Sequence, residues 1–168
     1  MIDARPYSDA AALCVFRALD PHDLIEAELA RGAVLPPLAL FADWRMVQAG
    51  SHLSRVLHFQ GQPFAVLVLA PGGPGGVAQA AFLARSHRRW RRPLVAAARD
   101  IRSGMRGFCE ARGLHRIEAR CHALHPSAGS FLTACGFHHE TDLPGFGGDG
   151  QEVFRQFAWI SSSKEENS

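Results

Sequence analysis

The sequence predicts a single α/β domain in which a mixed, mainly antiparallel sheet of six to seven strands is flanked by about four helices. Apolar stretches of strand length alternate with amphipathic stretches of helix length, and three strand-like stretches in the middle follow one another through short turns. The 168 residues, 47% hydrophobic and 20% charged, suffice for one core. We assign this domain to residues 1–160 and expect the polar residues 161–168 to form a disordered C-terminal tail.

The first third of the chain predicts one strand followed by consecutive helices. Ser8 and Asp9 are suitable N-cap residues for an apolar helix. Asp20 can cap a second helix, because Pro21 suits a first helical turn and Gly32 suits the C-terminal end. The predicted elements are a strand at 2–7 and helices at 10–19, 21–32 and 38–48.

The middle of the chain predicts an antiparallel meander. Two apolar stretches, 54–59 and 63–70, are joined by Gln60-Gly61-Gln62, which has the length of a hairpin connection. The run P-G-G-P-G-G at 71–76 cannot form regular structure, and it lacks the Lys and Ser/Thr of a phosphate-binding loop. We therefore interpret it as a flexible turn that leads into a third strand at 77–84.

The last third predicts a long helix and a final hairpin. Apolar residues recur at steps of three and four along 94–112, which is typical of an amphipathic helix. A short alternating strand at 114–121 follows, and then a helix at 126–135 that Gly136 ends. Residues 137–143 and 152–160 are strands joined by a loop rich in glycine.

An arginine-rich segment, R-S-H-R-R-W-R-R-P, runs from Arg85 to Pro93 between the third meander strand and the long helix. A turn from a strand into a helix presents backbone N–H groups and the positive end of the helix dipole, so it favours anions. Three interpretations remain open: a site for the phosphates of a CoA-like ligand, a site for nucleic acid or another acidic partner, and a solvated loop. Trp90 could stack on an adenine or another base, or fill the core at the helix start.

Other features limit the class of protein. The net charge of +2 is too small for a protein that coats nucleic acid, and arginine exceeds lysine by 17 to one. The N-terminus carries no apolar signal stretch and no apolar run approaches membrane-spanning length, so we expect a cytoplasmic protein. Cys121, His122, His125, Cys135 and His138 match no standard zinc spacing, and we expect no metal.

Two segments of the C-terminal half resemble a known family. They are R-I-E-A-R-C from Arg116 and H-P-S-A-G-S-F-L-T-A-C-G-F from His125 to Phe137, and the hairpin that carries G-G-D-G-Q-E is also similar. These segments and the order of elements resemble the GNAT-type N-acetyltransferase superfamily, in a degenerate form like those among phage and prophage proteins. The resemblance covers about 2–160 and implies a GNAT-like fold.

The resemblance implies a protein that binds acetyl-CoA or another acyl-CoA as cosubstrate and transfers the acyl group to an amine of a small molecule or protein. The family's Gln/Arg-x-x-Gly-x-Gly/Ala motif falls on Arg88 to Leu94, which contain no glycine. Phosphate binding would therefore depend on arginine side chains. The cofactor-binding residues implied by the resemblance are Phe82, Leu83, Ala84, Arg85, His87, Arg88, Arg89, Trp90, Arg91, Arg92, Leu94 and Ser130.

The catalytic groups of the family are not where the resemblance would place them. Leu132 occupies the position of the tyrosine that protonates the leaving thiolate, and the predicted strand at 77–84 offers Gln79 but no carboxylate. We consider Glu118 as the general base, with His125 or Cys135 as the proton donor. His122 is a further candidate donor.

Two functions other than acyl transfer remain open. The missing tyrosine, carboxylate and glycines favour a catalytically inactive GNAT-fold protein with an interaction or structural role. The arginine-rich segment 85–92 favours a nucleic-acid-binding module, whose affinity would fall steeply with salt. An N-acetyltransferase is thus one of three interpretations.

Overall fold

The computed structural model describes residues 1–161, which form seven strands and five helices. The predicted tail lies outside the described residues, apart from Ser161, whose N–H donates to the His115 carbonyl at 2.9 Å. The elements are β1 (Ile2–Pro6), α1 (Asp9–Phe16), α2 (Pro21–Arg31), α3 (Pro37–Ala49), β2 (Leu53–Phe59), β3 (Gln62–Pro71), β4 (Val77–Ala84), α4 (Arg91–Arg112), β5 (Arg116–His122), α5 (Ala128–Ala134), β6 (His138–Phe146) and β7 (Glu152–Ile160).

The strands form one mixed sheet in the order β1-β2-β3-β4-β5-β7-β6. Each neighbouring pair is antiparallel except β4 and β5, which run parallel because α4 crosses over between them. This confirms the predicted α/β class with a mainly antiparallel sheet. The described part of the chain contains five helices, which match the five helical segments predicted individually and exceed the general figure of about four by one.

The sequence signals at the helix ends act as expected. The Ser8 side chain accepts a hydrogen bond from the Ala11 N–H at 3.3 Å, and Asp20 accepts one from the His22 N–H at 3.0 Å. Gly32 ends α2 with φ of 67°, a left-handed conformation that a residue without Cβ adopts at low cost. Asp20 and Gly32 thereby fix the two ends of α2.

Two apolar layers lie on opposite faces of the sheet. Val56 and Val66 pack against α1 and α3, whereas their neighbours Leu57 and Ala65 face the start of α4. A third cluster joins α4 and α5 to β5 and contains Met105, among other buried side chains. None of the helices described is both long and apolar enough to cross a membrane.

The central feature of the sheet is an early separation of β4 from β5. Their parallel register begins at Val77 and Arg116 and ends at Ala80 and Ala119. β4 continues beyond this point to Ala84 and β5 continues to His122, so the C-terminal halves of the two strands are not paired with each other. The separation opens a gap in the middle of the sheet.

Candidate functional site

A cavity of about 930 Å³ occupies this gap and extends to both faces of the sheet. On one face α2 and α3 line it, and on the other face α4 and α5 do. The polar side chains that line it near the gap include Asp23, Glu26, His87, His125 and Ser127. A ligand in this cavity could reach groups from both sides of the sheet.

Three carboxylates of α2 and its N-cap take up backbone N–H groups around the gap. Asp20, Asp23 and Glu26 are spaced three residues apart, which places them on one side of the helix. The Asp23 carboxylate accepts from the Ala84 N–H of β4 at 2.7 Å, and Glu26 accepts from the His122 N–H of β5 at 2.8 Å. Helix α2 therefore bonds to the two strands that no longer bond to each other.

The strand geometry also leaves one backbone donor directed at the gap. In an extended strand, the N–H groups of alternate residues point to the same side. The Ala84 N–H points away from β3 to Asp23, whereas the next N–H, of Arg85, donates to the Phe64 carbonyl of β3 at 2.8 Å. The N–H of Phe82, two residues before Ala84, consequently faces the gap beyond the last registered pair of β4 and β5.

Glu26 has the most unusual protonation among the cavity carboxylates. Burial raises its pKa from 4.5 to about 7, because the carboxylate loses its hydration, although the hydrogen bond from His122 opposes this effect. A carboxylate with this pKa exists in both forms near neutral pH. It can therefore accept and release a proton under ordinary conditions.

A second group of side chains forms a hydrogen-bonded chain across the cavity wall. One Asp23 oxygen, Oδ1, lies 3.0 Å from both His87 Nε2 and His125 Nε2. The other ring nitrogen of His87, Nδ1, lies 3.1 Å from the Ser127 hydroxyl. Ser127, His87 and Asp23 are thus connected in series.

Asp23 determines the charges in this hydrogen-bonded series of side chains. Burial alone would raise the pKa of Asp23, but hydrogen bonds from His125 and His87 outweigh it and hold the pKa below its ordinary value. Burial likewise would lower the pKa of His87, and the bond to the Asp23 carboxylate reverses this and raises it. The arrangement favours an imidazolium at His87 beside an ionised Asp23.

His125 has a fixed tautomer. Its Nδ1 accepts hydrogen bonds from the Ser127 N–H at 3.2 Å and the Ala128 N–H at 2.9 Å. The ring proton therefore lies on Nε2 and is donated to Asp23. His125 is 2% exposed in its side chain and orients Asp23.

In the described part of the chain, the ligand atoms of Asp23, His87 and His125 lie within 4.8 Å of one another, close enough to share a metal ion. A metal-binding histidine normally donates its second ring N–H to an acceptor. His125 does the opposite, because its Nδ1 faces two N–H donors. The donor set fits a hydrogen-bonded network better than a metal centre.

The arginine-rich segment is less open to ligands than the sequence suggested. Trp90 is 6% exposed and stacks on Phe64, with ring centroids 5.5 Å apart. Arg85 and Arg89 lie over its ring at 5.4 and 5.7 Å. Trp90 fills the core at the start of α4, which is one of the two interpretations offered for it, and its buried ring leaves little surface for stacking on an adenine or a base.

Several backbone N–H groups of this segment are also engaged within the protein. The His87 N–H donates to the Asp20 carboxylate at 2.8 Å, and the N–H groups of Arg89 and Trp90 donate to Ser86 at 3.4 and 3.0 Å. Of the five arginines in the run, Arg91 is the one that lines the cavity. An anion at this end of the cavity would therefore find the N–H groups of His87, Arg89 and Trp90 already occupied, and the Arg91 side chain beside it.

The structure divides the predicted cofactor residues into two groups. The residues that line the cavity are Phe82, Leu83, His87, Arg91, Leu94 and Ser130. The residues that do not line it are Ala84, Arg85, Arg88, Arg89, Trp90 and Arg92. Further along α4, Arg99 and Arg102 also line it, and the sequence analysis did not select them.

Of the three predicted catalytic residues, His125 alone lines the cavity. Glu118 is bonded to Arg116 at 2.7 Å and to Gln79 at 2.6 Å, and the bond to Arg116 lowers its pKa. A carboxylate held in this way is a weak base. Burial raises the pKa of Cys135 to about 12, so its thiol is a poor proton donor.

The sequence analysis did not identify Asp23, Glu26 or Ser127. Acidic residues at steps of three on α2 were visible, but such a pattern is usually a solvated helix face. The fourth candidate, His122, contributes its backbone N–H to Glu26, while its ring binds Glu152 at 2.7 Å. No local signal distinguishes Ser127.

No protein-family model and no curated protein matches this chain. Solved structures, in contrast, are similar to this chain over most of its length. The ribosomal-protein-S18-alanine N-acetyltransferase from Escherichia coli is 16% identical, with a TM-score of 0.69 over 100% of this chain and 99% of that chain. RimJ from Mycobacterium smegmatis, solved with CoA-disulfide, is 20% identical, with a TM-score of 0.65 over 98% and 84%.

A third similar structure is yncA from Salmonella typhimurium, solved with its cofactor acetyl-CoA. It is 10% identical, with a TM-score of 0.65 over 97% of this chain and 96% of that chain. At these identities the similarity shows the fold. The chain has the fold of the GNAT-type N-acetyltransferases, which confirms the fold that the resemblance implied.

Proposed function

We propose that this protein binds acetyl-CoA or another acyl-CoA in the central cavity and transfers the acyl group to an amine of a small molecule or protein. The observation that carries this proposal is the gap between β4 and β5, which is open to both faces and bordered by an ionisable Glu26. Similar structures that hold CoA-disulfide or acetyl-CoA support a cofactor of this class.

The cofactor would be held mainly by α4 and the gap. Arg91, Arg99 and Arg102 line the cavity along α4 and could bind phosphate oxygens through charged hydrogen bonds. The pantetheine arm would pass between the separated strands. There the Phe82 N–H faces the gap and could donate to the thioester carbonyl, which gains negative charge as the amine attacks.

Glu26 is the proposed general base in place of Glu118. An ammonium substrate must lose a proton before its nitrogen can attack the thioester carbon. Glu26 lines the cavity and, with a pKa of about 7, can take this proton at neutral pH. The reaction then forms the C–N bond and breaks the C–S bond.

Ser127 is the proposed proton donor in place of tyrosine. The leaving CoA thiolate would take the proton of the Ser127 hydroxyl, and His87 Nδ1, at 3.1 Å, would replace it. Asp23 keeps His87 charged until this step. The first proton of the ammonium resides on Glu26, and the second, which the nitrogen loses as the tetrahedral adduct collapses, replaces the proton that His87 has given up, so charge and protons balance across the transfer.

The test is calorimetric titration with acetyl-CoA, followed by an assay of CoA thiol release over a panel of amines. We expect Arg91→Ala to weaken acetyl-CoA binding by about tenfold, because a charged hydrogen bond is lost. Arg88→Ala is the matched control, since Arg88 belongs to the same run but does not line the cavity. Absence of binding of acetyl-CoA and of longer acyl-CoA compounds alike would overturn the proposal.

One observation favours the inactive alternative. The N–H groups of His87, Arg89 and Trp90, in the turn before α4, are engaged within the protein, so the glycine-rich backbone cradle of the family has no counterpart there. A protein that retained the fold for binding a partner would have no need of such a cradle. Acetyl-CoA binding without thiol release from any amine would support this alternative.

A further inference from the structure

A second cavity of about 210 Å³ lies between α4 and the sheet. Its lining is almost wholly apolar and comes from several elements: Leu53 and Leu69 from β2 and β3, Met105 and Phe108 from α4, and Phe137 before β6. A cavity lined in this way favours a hydrocarbon occupant over a polar one. Nothing in the proposed transfer of an acetyl group uses this space.

The second cavity adjoins the central one at the place where the chemistry is proposed. Four residues line both cavities: Ala80, Phe82, Phe131 and Leu132. The rings of Phe82 and Phe131 are in contact, with centroids 4.6 Å apart. Phe82 therefore has its N–H directed at the gap and its side chain at the border of the apolar cavity.

An exposed glycine of α4 forms part of the wall of the second cavity. Gly104 lines it, and a Cβ at this position would meet no atom within 4 Å. Glycine inside a helix is less favourable than alanine, because it loses more backbone entropy on folding. The missing side chain leaves room at the cavity wall.

We propose that the second cavity receives the hydrocarbon chain of a medium-chain acyl-CoA, so that the transferred group has about six to eight carbons rather than two. This inference rests on the proposed function, because the thioester must lie beside Phe82. A cavity of about 150 Å³ lined by apolar side chains is large enough for benzene, so 210 Å³ accommodates a somewhat longer chain. Leu132 contributes to the apolar wall at the place where the family has a tyrosine hydroxyl.

The experiment compares the affinities of CoA, acetyl-CoA and octanoyl-CoA by calorimetry with the wild-type chain. Each methylene that leaves water for an apolar site improves binding by a factor of about four. We expect octanoyl-CoA to bind at least tenfold more tightly than acetyl-CoA, because the longer chain buries several methylenes.

Two helix variants localise the effect. Gly104→Leu fills the cavity, and Gly107→Leu makes the same change on the same helix at a position that does not line it and is equally open. We expect Gly104→Leu to remove the advantage of octanoyl-CoA and to leave acetyl-CoA binding within about twofold, whereas Gly107→Leu retains the advantage. Gly104→Ala is the smaller step if the leucine variant does not fold.

The outcomes separate this inference from the function on which it rests. Binding of acetyl-CoA with no gain for octanoyl-CoA overturns the acyl-chain site and leaves the proposed function standing. An octanoyl gain that survives Gly104→Leu places the chain elsewhere and also overturns the site. If none of the three CoA compounds binds, both proposals fall.

Discussion

Replacing Glu26 with glutamine should stabilise the protein at neutral and alkaline pH while leaving its stability in mild acid unchanged. The reason lies in the pKa of Glu26, which burial raises from 4.5 to about 7. Glutamine has nearly the same shape and keeps an oxygen that can accept the His122 N–H. The substitution therefore removes the ionisation and preserves the contact.

The sign and size follow from proton linkage. Between pH 4.5 and about 7 the folded state of the wild type holds a proton on Glu26 that the unfolded state has lost. The free energy of unfolding of the wild type consequently falls as the pH rises through this window. Each pKa unit corresponds to about 1.4 kcal/mol, so the buried charge costs about 3 kcal/mol above the folded pKa. Glu26→Gln should recover about this amount.

The assay is urea unfolding of both proteins at pH values from 4.5 to 8.5, with tryptophan fluorescence as the signal that reports unfolding. The difference in unfolding free energy should be near zero at the acid end and should approach about 3 kcal/mol above pH 8. Glu28→Gln is the matched control on α2, where the side chain accepts from the Leu35 N–H at 3.2 Å. A difference for Glu26→Gln that does not change with pH, or a variant less stable at pH 8, would refute the reasoning.

The remaining predictions concern the relay, the core and the thiols. Ser127→Ala should lower kcat for thiol release by about 100-fold with little change in KM for acyl-CoA, because His87 can no longer pass its proton through the hydroxyl; an unchanged kcat would remove Ser127 from the mechanism. Trp90→Ala should lower the free energy of unfolding by about 3–5 kcal/mol in urea titrations, because its buried ring stacks on Phe64. Of the four free cysteines, Cys14 is the exposed one and should react rapidly with a thiol reagent in the native protein, a reaction that Cys14→Ser abolishes.

The elements were predictable because each has a local cause. Capping by Ser8 and Asp20, the apolar periodicity of α4 and the short turns of the meander all operate within a few residues. The order of these elements then restricts the sheet to few topologies. The fold could therefore be read from the sequence as a mixed, mainly antiparallel sheet, and the structure shows that β4 and β5 are the strands that run parallel.

The site depended on contacts that no local pattern contains. Glu26 meets the backbone of a residue 96 positions later, and Asp23 meets His125 102 positions later. The prediction for Glu118 illustrates the same limit, since its partner Gln79 belongs to the registered half of β4 and β5, before the strands separate. A residue two positions further along β5 would have reached the gap, but the end of a ladder cannot be read from a strand pattern.

The position of α2 connects the stability of this protein with its proposed activity. A strand that leaves its neighbour exposes backbone N–H groups, and a buried N–H group without an acceptor is costly. Asp23 and Glu26 provide acceptors for one such group on each strand, so the gap can exist in the folded protein. Hydrogen bonds from two histidines offset the effect of burial on the pKa of Asp23. At Glu26 the hydrogen bond from His122 does not offset this effect, and burial raises the pKa. A neutral side chain would hold β5 equally well, so folding alone does not require an ionisable group at this position, which agrees with the proposed role of Glu26 as general base.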